Sequence, residues 1–221
     1  MVKSNNSFFG NFPLFLTAKP LQGITIPVFR NANIAPLKQL QPIVFSHGLS
    51  ANRMTYTVIC RELASCGYFV VCLSHDDRSG MYTPKAGPYP SEIPNYTYEV
   101  RSEQVKIRQN ELLALADEVM SKSFLSALNT EWSKVTLSQD LVFMGHSFGG
   151  ITALASVANC KKAKALVVMD PWFYPHLNSG VTLKTADHQK SLIMMSEYFA
   201  PAVLAFTKGL CDTVAQVSKF G

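Results

Sequence analysis

Leu141-Val142-Phe143-Met144-Gly145-His146-Ser147-Phe148-Gly149-Gly150-Ile151-Thr152-Ala153-Leu154 is the stretch whose reading decides the fold. Four apolar residues run without a break into Gly145-His146-Ser147-Phe148-Gly149, which fits the pattern G-x-S-x-G. A helical pattern follows, with Ile151, Leu154 and Ala158 marking its buried face. A strand that passes through a tight, strained turn into a helix projects the serine at the top of a sheet, where its hydroxyl can act as a nucleophile. Gly145 and Gly149 suit such a turn because side chains there would strike the neighbouring elements. Gly150, Ala153 and Ala155 let the helix lie close on the sheet. The bland alternative is a Gly-rich packing turn. The strand before and the helix after argue for a nucleophile.

The same alternation extends outward in both directions. Upstream, Ile43-Val44-Phe45 reads as a buried strand, residues 53–66 as a helix closed by Gly67, and Tyr68-Phe69-Val70-Val71-Cys72-Leu73 as a second strand. A loop rich in Pro and Gly leads into a helix over about 99–120, with apolar positions at Val105, Leu112, Ala116 and Val119. Downstream, Ala165-Leu166-Val167-Val168-Met169 and Leu192-Ile193-Met194-Met195 read as strands, and residues 201–217 as an amphipathic stretch. Continuously apolar strands separated by helices predict a mostly parallel sheet covered on both faces, an α/β fold with right-handed crossovers. The partial domain is expected over 42–221, after a poorly structured segment 1–41. A candidate strand at 24–29 is weakened by Pro27.

Chain order then suggests the partners of Ser147. His47-Gly48-Leu49-Ser50 follows the first strand, and in this kind of sheet that loop donates one backbone N–H to an oxyanion hole. The residue after the nucleophile donates the other, which points to Leu49 and Phe148. Asp170, at the end of the fourth strand and followed by Pro171, is the preferred acid to orient a base. Glu197, past the fifth strand, competes with it, or serves as a helix N-terminal charge. The base is harder to find. His47 reads as a structural brace for its loop. His146 adjoins the nucleophile and diverges from it. His176 and His188 both precede the fifth strand, whereas a base of this kind normally follows the last one.

Composition narrows the class. The 221 residues suit one domain with a sizeable core, nearly half of them are apolar, and the net charge is +5. No dense Lys/Arg cluster suggests nucleic acid, and no apolar run is long enough to span a bilayer. Five cysteines, Cys60, Cys66, Cys72, Cys160 and Cys211, show no metal spacing and read as reduced, which with a weak leader candidate favours a cytoplasmic protein over a secreted one.

Taken in order, several segments resemble the platelet-activating factor acetylhydrolase family of calcium-independent phospholipases A2, in the α/β-hydrolase superfamily. They are Phe45-Ser46-His47-Gly48-Leu49, His75-Asp76-Asp77-Arg78-Ser79, Arg101-Ser102-Glu103-Gln104-Val105, Gly145-His146-Ser147-Phe148-Gly149-Gly150, Met169-Asp170-Pro171-Trp172 and Ser196-Glu197-Tyr198-Phe199. The resemblance implies Ser147 as nucleophile, Asp170 as acid, Leu49 and Phe148 as oxyanion donors, and Trp172 and Phe173 as part of an acyl-pocket wall. It implies cleavage of the sn-2 acetyl or short acyl ester of a phospholipid, without metal or cofactor. Two departures stand out. The family has further strands before the first matched segment. Its histidine lies beyond the Ser-Glu-Tyr-Phe segment, so the chain is expected to be shortened at both ends, lacking the final strand and its histidine loop, with its activity impaired.

Three functions follow as alternatives: that esterase, another hydrolase acting on a soluble ester, or a catalytically dead lipid-binding homologue. A lipid enzyme should carry an apolar rim, for which Phe12, Leu14, Phe15 and Leu16 are candidates, and could touch a membrane peripherally.

Overall fold

The computed structural model describes residues 27–28, 32, 39–83, 87–88, 97–128, 135–176, 185–197 and 199. Every regular element among the described residues falls in the unit Ile34–Gly221. Strand β1 (Gln39–Ser46) is followed by α1 (Thr57–Ser65), β2 (Tyr68–Cys72), and a short antiparallel pair, β3 (Tyr82–Thr83) with β4 (Gly87–Pro88). Then come α2 (Tyr98–Val119), α3 (Lys122–Leu128), β5 (Thr136–Leu137), β6 (Leu141–His146), α4 (Phe148–Val157), β7 (Ala163–Met169), a 3₁₀ turn (Tyr174–His176) and β8 (Lys190–Met194).

The main sheet runs β2-β1-β6-β7-β8 and is parallel throughout, with β5 beside the start of β1. Strict alternation along each strand sorts its residues onto two faces. Val44, Phe143, Leu166 and Val168 join the large core with α2 and α4. Ile43, Phe45 and Met144 join a smaller core with Ile59 and Leu63 of α1. Helices thus cover both faces, as expected for continuously apolar strands.

The order of the strands matters for function. From β1 the chain moves outward to β2, then returns to lay β6 on the other side of β1. That reversal is a topological switch point, where the loops beyond the carboxyl ends of neighbouring strands part and leave a crevice. Ser46 pairs with Gly145 across it. The loop at 47–50 and Ser147 therefore leave the sheet side by side.

All ten residues of α4 are buried. Its small residues explain how: a Cβ on Gly149 would lie 2.0 Å from the Ser46 carbonyl oxygen, and one on Gly145 would lie 2.2 Å from that of Gly149. Thr97 caps helix α2, its hydroxyl accepting from the Val100 amide, with Glu99 in the first turn.

Three differences from the sequence reading have local causes. The first helix starts at Thr57 rather than 53, because the Asn52 side chain takes the Met54 N–H in a turn. β1 begins at Gln39, since the Pro42 that seemed to bound it lies within the strand, where the register continues without a bulge. Helix α3 was not anticipated; the chain turns at Ser121, whose N–H bonds the Glu118 carbonyl, and starts a new helix. The candidate strand at 24–29, apart from Pro27 and Val28, and the stretch 201–217 lie outside the described residues.

Candidate active site

Ser147 stands between the last residue of β6 and the first of α4, with φ 54° and ψ −117°. Such a conformation costs a non-glycine residue about 1–3 kcal/mol, so it persists only where the surroundings hold it. They do so from three sides. Its N–H donates to the Met169 carbonyl at 2.9 Å, and its carbonyl accepts from Trp172 at 3.0 Å, Gly150 at 3.0 Å and Ile151 at 3.2 Å. The residue remains partly exposed. The strand–helix junction expected from G-x-S-x-G is present, and the strain is placed at the serine.

The loop after β1 forms the neighbouring wall. A Cβ on Gly48 would meet the Tyr56 hydroxyl at 2.8 Å and the His146 backbone oxygen at 3.5 Å, so this loop runs against the residue preceding Ser147. Tyr56 bridges the two segments: its Oη accepts from the Gly48 N–H at 3.1 Å and lies 2.7 Å from His146 Nδ1. Neither the Leu49 nor the Phe148 N–H donates to any carbonyl among the described residues, and Phe148 opens a helix, where amides have no intrahelical partner.

Asp170 directly follows β7 with φ 44°, its N–H donating to the Met194 carbonyl at 2.8 Å and its carboxylate accepting from the Ser196 N–H at 2.5 Å. It directly follows Met169, whose carbonyl holds Ser147. Glu197 is exposed and follows β8, one strand further out. Asp170 thus follows the residue that holds Ser147, whereas Glu197 follows the outermost strand. Trp172 is half-buried, its ring edge-on to Phe148 and stacked on Tyr174, both at 5.6 Å between centroids. Phe173 is buried in the main core.

All five histidines are among the described residues. His188 is exposed and precedes β8, at the amino end of the parallel strands, so the length of a strand, roughly 16 Å, separates its level from that of Ser147. His146 is held by Tyr56; burial lowers its pKa, against the opposing field of Asp170. His47 and His75 are wholly buried. His176 stands on the Ser147 edge of the sheet, in the 3₁₀ turn after Asp170, and burial lowers its pKa.

Beneath the loop at 47–50 lies a buried polar network, in which His47 braces the loop as its sequence position suggested. His47 Nε2 accepts from the His75 N–H at 3.1 Å, so the proton sits on Nδ1 and goes to the Gly48 carbonyl at 2.8 Å. Burial, then the Arg108 charge, pushes its pKa down to about 4. His75 lies between the Ser46 hydroxyl (2.8 Å) and Glu111 (2.7 Å), and burial holds its pKa well below the usual range. Arg108 pairs with Asp77 at 2.7 Å, both side chains fully enclosed. Its signal was an arginine at position 108 within the apolar stripe of α2, between Val105 and Leu112. Among the described residues no group of three or more His, Cys, Asp or Glu is arranged to hold a metal ion. The apolar rim expected of Phe12, Leu14, Phe15 and Leu16 falls outside the described residues.

The profile of a family described as "Platelet-activating factor acetylhydrolase, isoform II" matches residues 6–207. A platelet-activating factor acetylhydrolase of Gallus gallus is 29% identical over 206 residues, covering 80% of this chain and 48% of that one. The Cavia porcellus protein of the same name is 28% identical, with 81% and 45% covered. A putative phospholipase A2 of Schizosaccharomyces pombe is 25% identical, with 72% and 47% covered. The chain thus spans about half the length of the curated relatives it matches. Among solved structures, a ferulic acid esterase from Streptomyces cinnamoneus superposes with TM-score 0.51 at 21% identity, covering 64% of this chain and 39% of that one. That likeness shows the fold, which is of the α/β-hydrolase type.

Proposed function

Because the chain belongs to the platelet-activating factor acetylhydrolase family, we propose that it carries the nucleophile, oxyanion and acid parts of a serine esterase that cleaves the sn-2 acetyl or short acyl ester of a phospholipid. One observation carries the reading: Ser147 is held at φ 54° between β6 and α4, at the switch point of the sheet. In the reaction Ser147 Oγ gives its proton to a base and bonds to the ester carbonyl carbon. The carbonyl oxygen, now negative, is met by the amides of Leu49 and Phe148. Collapse expels the lysophospholipid alcohol, which takes the proton, and leaves an acyl-serine. Water attacks that ester, again through the base, and releases the short acid. Asp170 orients and stabilises the cationic base. Trp172, half-buried, borders the acyl group, and Phe173 packs in the core rather than on the pocket wall.

A phospholipid substrate is supported by exposed apolar side chains next to the oxyanion loop. Met54 follows that loop, and Met81 is tied to it through its N–H to the Ala51 carbonyl at 3.2 Å; they are 63% and 56% exposed. Peripheral contact with a lipid surface and a cytoplasmic location belong to this proposal. A second reading, a lipid binder without turnover, is favoured by the placement of the histidines, four of which are buried, held elsewhere or on the far edge.

The test is labelling of the purified chain by a fluorophosphonate, followed by assay of phospholipids with sn-2 acetyl, longer acyl and matched soluble esters. Labelling lost in Ser147→Ala, with preference for the acetyl phospholipid, supports the esterase. An unlabelled chain that binds phospholipid vesicles supports the binder. Equal use of soluble esters replaces the substrate class.

A further inference from the structure

We propose that Arg108 is a positioning residue that sets the spacing between the two oxyanion amides, an inference that rests on the esterase reading of this site. Its guanidinium touches the residues on both sides of the crevice at once. Nη1 donates to the His47 carbonyl at 2.7 Å, two residues before Leu49. The same planar group lies over the Phe148 ring, 4.3 Å from its centroid, and Phe148 carries the other amide. One rigid fork therefore spans the loop after β1 and the start of α4.

The fork is itself immobilised. Nε donates to Asp77 Oδ2 at 2.7 Å and to Ser79 Oγ at 3.1 Å, and Nη2 to Ser79 Oγ at 2.5 Å. Ser79 in turn donates to Asp77 Oδ1 at 2.6 Å, and its carbonyl receives the Ser50 N–H at 2.8 Å. The loop 47–50 is thus gripped at both ends, at the His47 carbonyl by Arg108 and at the Ser50 amide by Ser79. The Leu49 amide lies between the grips. His47, Asp77, Ser79 and Arg108 are all buried. A charged pair sunk in this way is weak evidence for stability, since apolar replacements of similar volume often serve as well. Its geometry is better explained by what it holds. Oxyanion donors act only when set near 3 Å from the developing charge before reaction, and a misplacement of 1 Å costs about 100-fold. Lysine keeps the charge for Asp77 but has neither the fork nor the flat face.

The test uses the full chain and its Arg108→Lys variant, with Ser147→Ala as the blank. Thermal unfolding, backbone hydrogen exchange and the kinetics of fluorophosphonate labelling are followed, separating the saturation constant from the limiting rate. Expected for Arg108→Lys is a limiting rate at least tenfold lower with an unchanged saturation constant, and faster exchange confined to 47–50 and 147–149. Should Arg108→Lys not fold, Ser79→Ala, which removes one anchor and keeps the Arg108–Asp77 pair, should show the same pattern to a smaller extent. Labelling and exchange at wild-type rates would overturn the proposal, and so would exchange raised evenly along the chain. If the wild-type chain is never labelled, the esterase reading fails. The exchange pattern then decides on its own whether Arg108 holds the two segments.

Discussion

His47 accepts through Nε2 and donates through Nδ1, so a second proton would have to displace the His75 amide. The imidazole stays neutral when folded, down to about pH 4, whereas an unfolded histidine protonates near 6.5. His75 is shifted the same way. As pH falls below about 6.5 the unfolded chain takes up these protons first, and stability is lost until the folded pKa is reached. Each histidine contributes a slope of roughly 1.4 kcal/mol per pH unit. Glu111 works in the opposite sense: burial raises its pKa to about 7, so between pH 7 and 4.5 the folded state holds a proton that the unfolded state lacks, and acidification restores stability. Two histidines against one carboxyl leave a net loss between pH 6.5 and 4.5. Urea unfolding at pH 7.5, 6 and 5 should show it, with a shallower loss in His47→Gln and a steeper one in Glu111→Gln. A chain as stable at pH 5 as at 7.5 would contradict the assignment. Gly149 offers a second residue-scale check. A methyl group there would lie 2.0 Å from the Ser46 backbone oxygen, which no side-chain rotation can relieve. Gly149→Ala should lose several kcal/mol or fail to fold, on the scale of the strongest core substitutions.

Helix α2 shows which elements were legible in the sequence and which were not. Its apolar spacing located Val105, Leu112, Ala116 and Val119 on one face, and all four are buried. Leu112 is wholly enclosed, and Leu112→Ala should destabilise by about 2–5 kcal/mol. Ile107→Ala, on the open side at 39% exposure, should stay within about 0.5 kcal/mol. Chemical denaturation of the two variants compares them directly, and equal losses would mean that the face has been misassigned. The elbow was as plain as that stripe, because Gly145 and Gly149 record a backbone approach that only glycine permits. Arg101, Gln104 and Arg108 share the buried side of α2, and nothing in periodicity says that a charged residue there will be enclosed. Arg108 finds Asp77 and Ser79, and Gln104 the Asp77 carbonyl, in a loop some thirty residues upstream. Such pairing is a property of the tertiary fold. So is the Tyr56 bridge between Gly48 and His146, which reaches from Tyr56 to a partner ninety residues on in the chain. Helix α3 and strand β5 went unread because each is too short to establish a period.

For the molecule as a whole, the sheet's parallel direction decides which groups can meet. Every strand of the main sheet ends on the Ser147 edge, so Leu49, Phe148, Asp170 and His176 follow or adjoin carboxyl ends, while His188 leads into an amino end. The expectation that neither downstream histidine is the base therefore divides into two cases with different physics. His188 is separated from the nucleophile by the depth of the sheet. His176 lies on the proper edge, in a turn pinned to α2 by the Ser102 hydroxyl, which donates to the Pro175 carbonyl at 2.8 Å. Losing the base of a serine nucleophile costs on the order of 10⁶-fold in turnover, and an oxyanion hole with binding alone retains about 10³ over water. The purified chain should accordingly turn over a short-chain ester slowly, near that residual level, while Ser147→Ala removes what remains of the covalent label. His188→Ala should change neither. If His176→Ala abolishes a fast, Ser147-dependent turnover, that imidazole reaches the serine in solution and completes the site. Fast turnover abolished by His188→Ala would require the sheet edge assigned to Ser147 to be wrong, and with it the switch-point placement of the whole site.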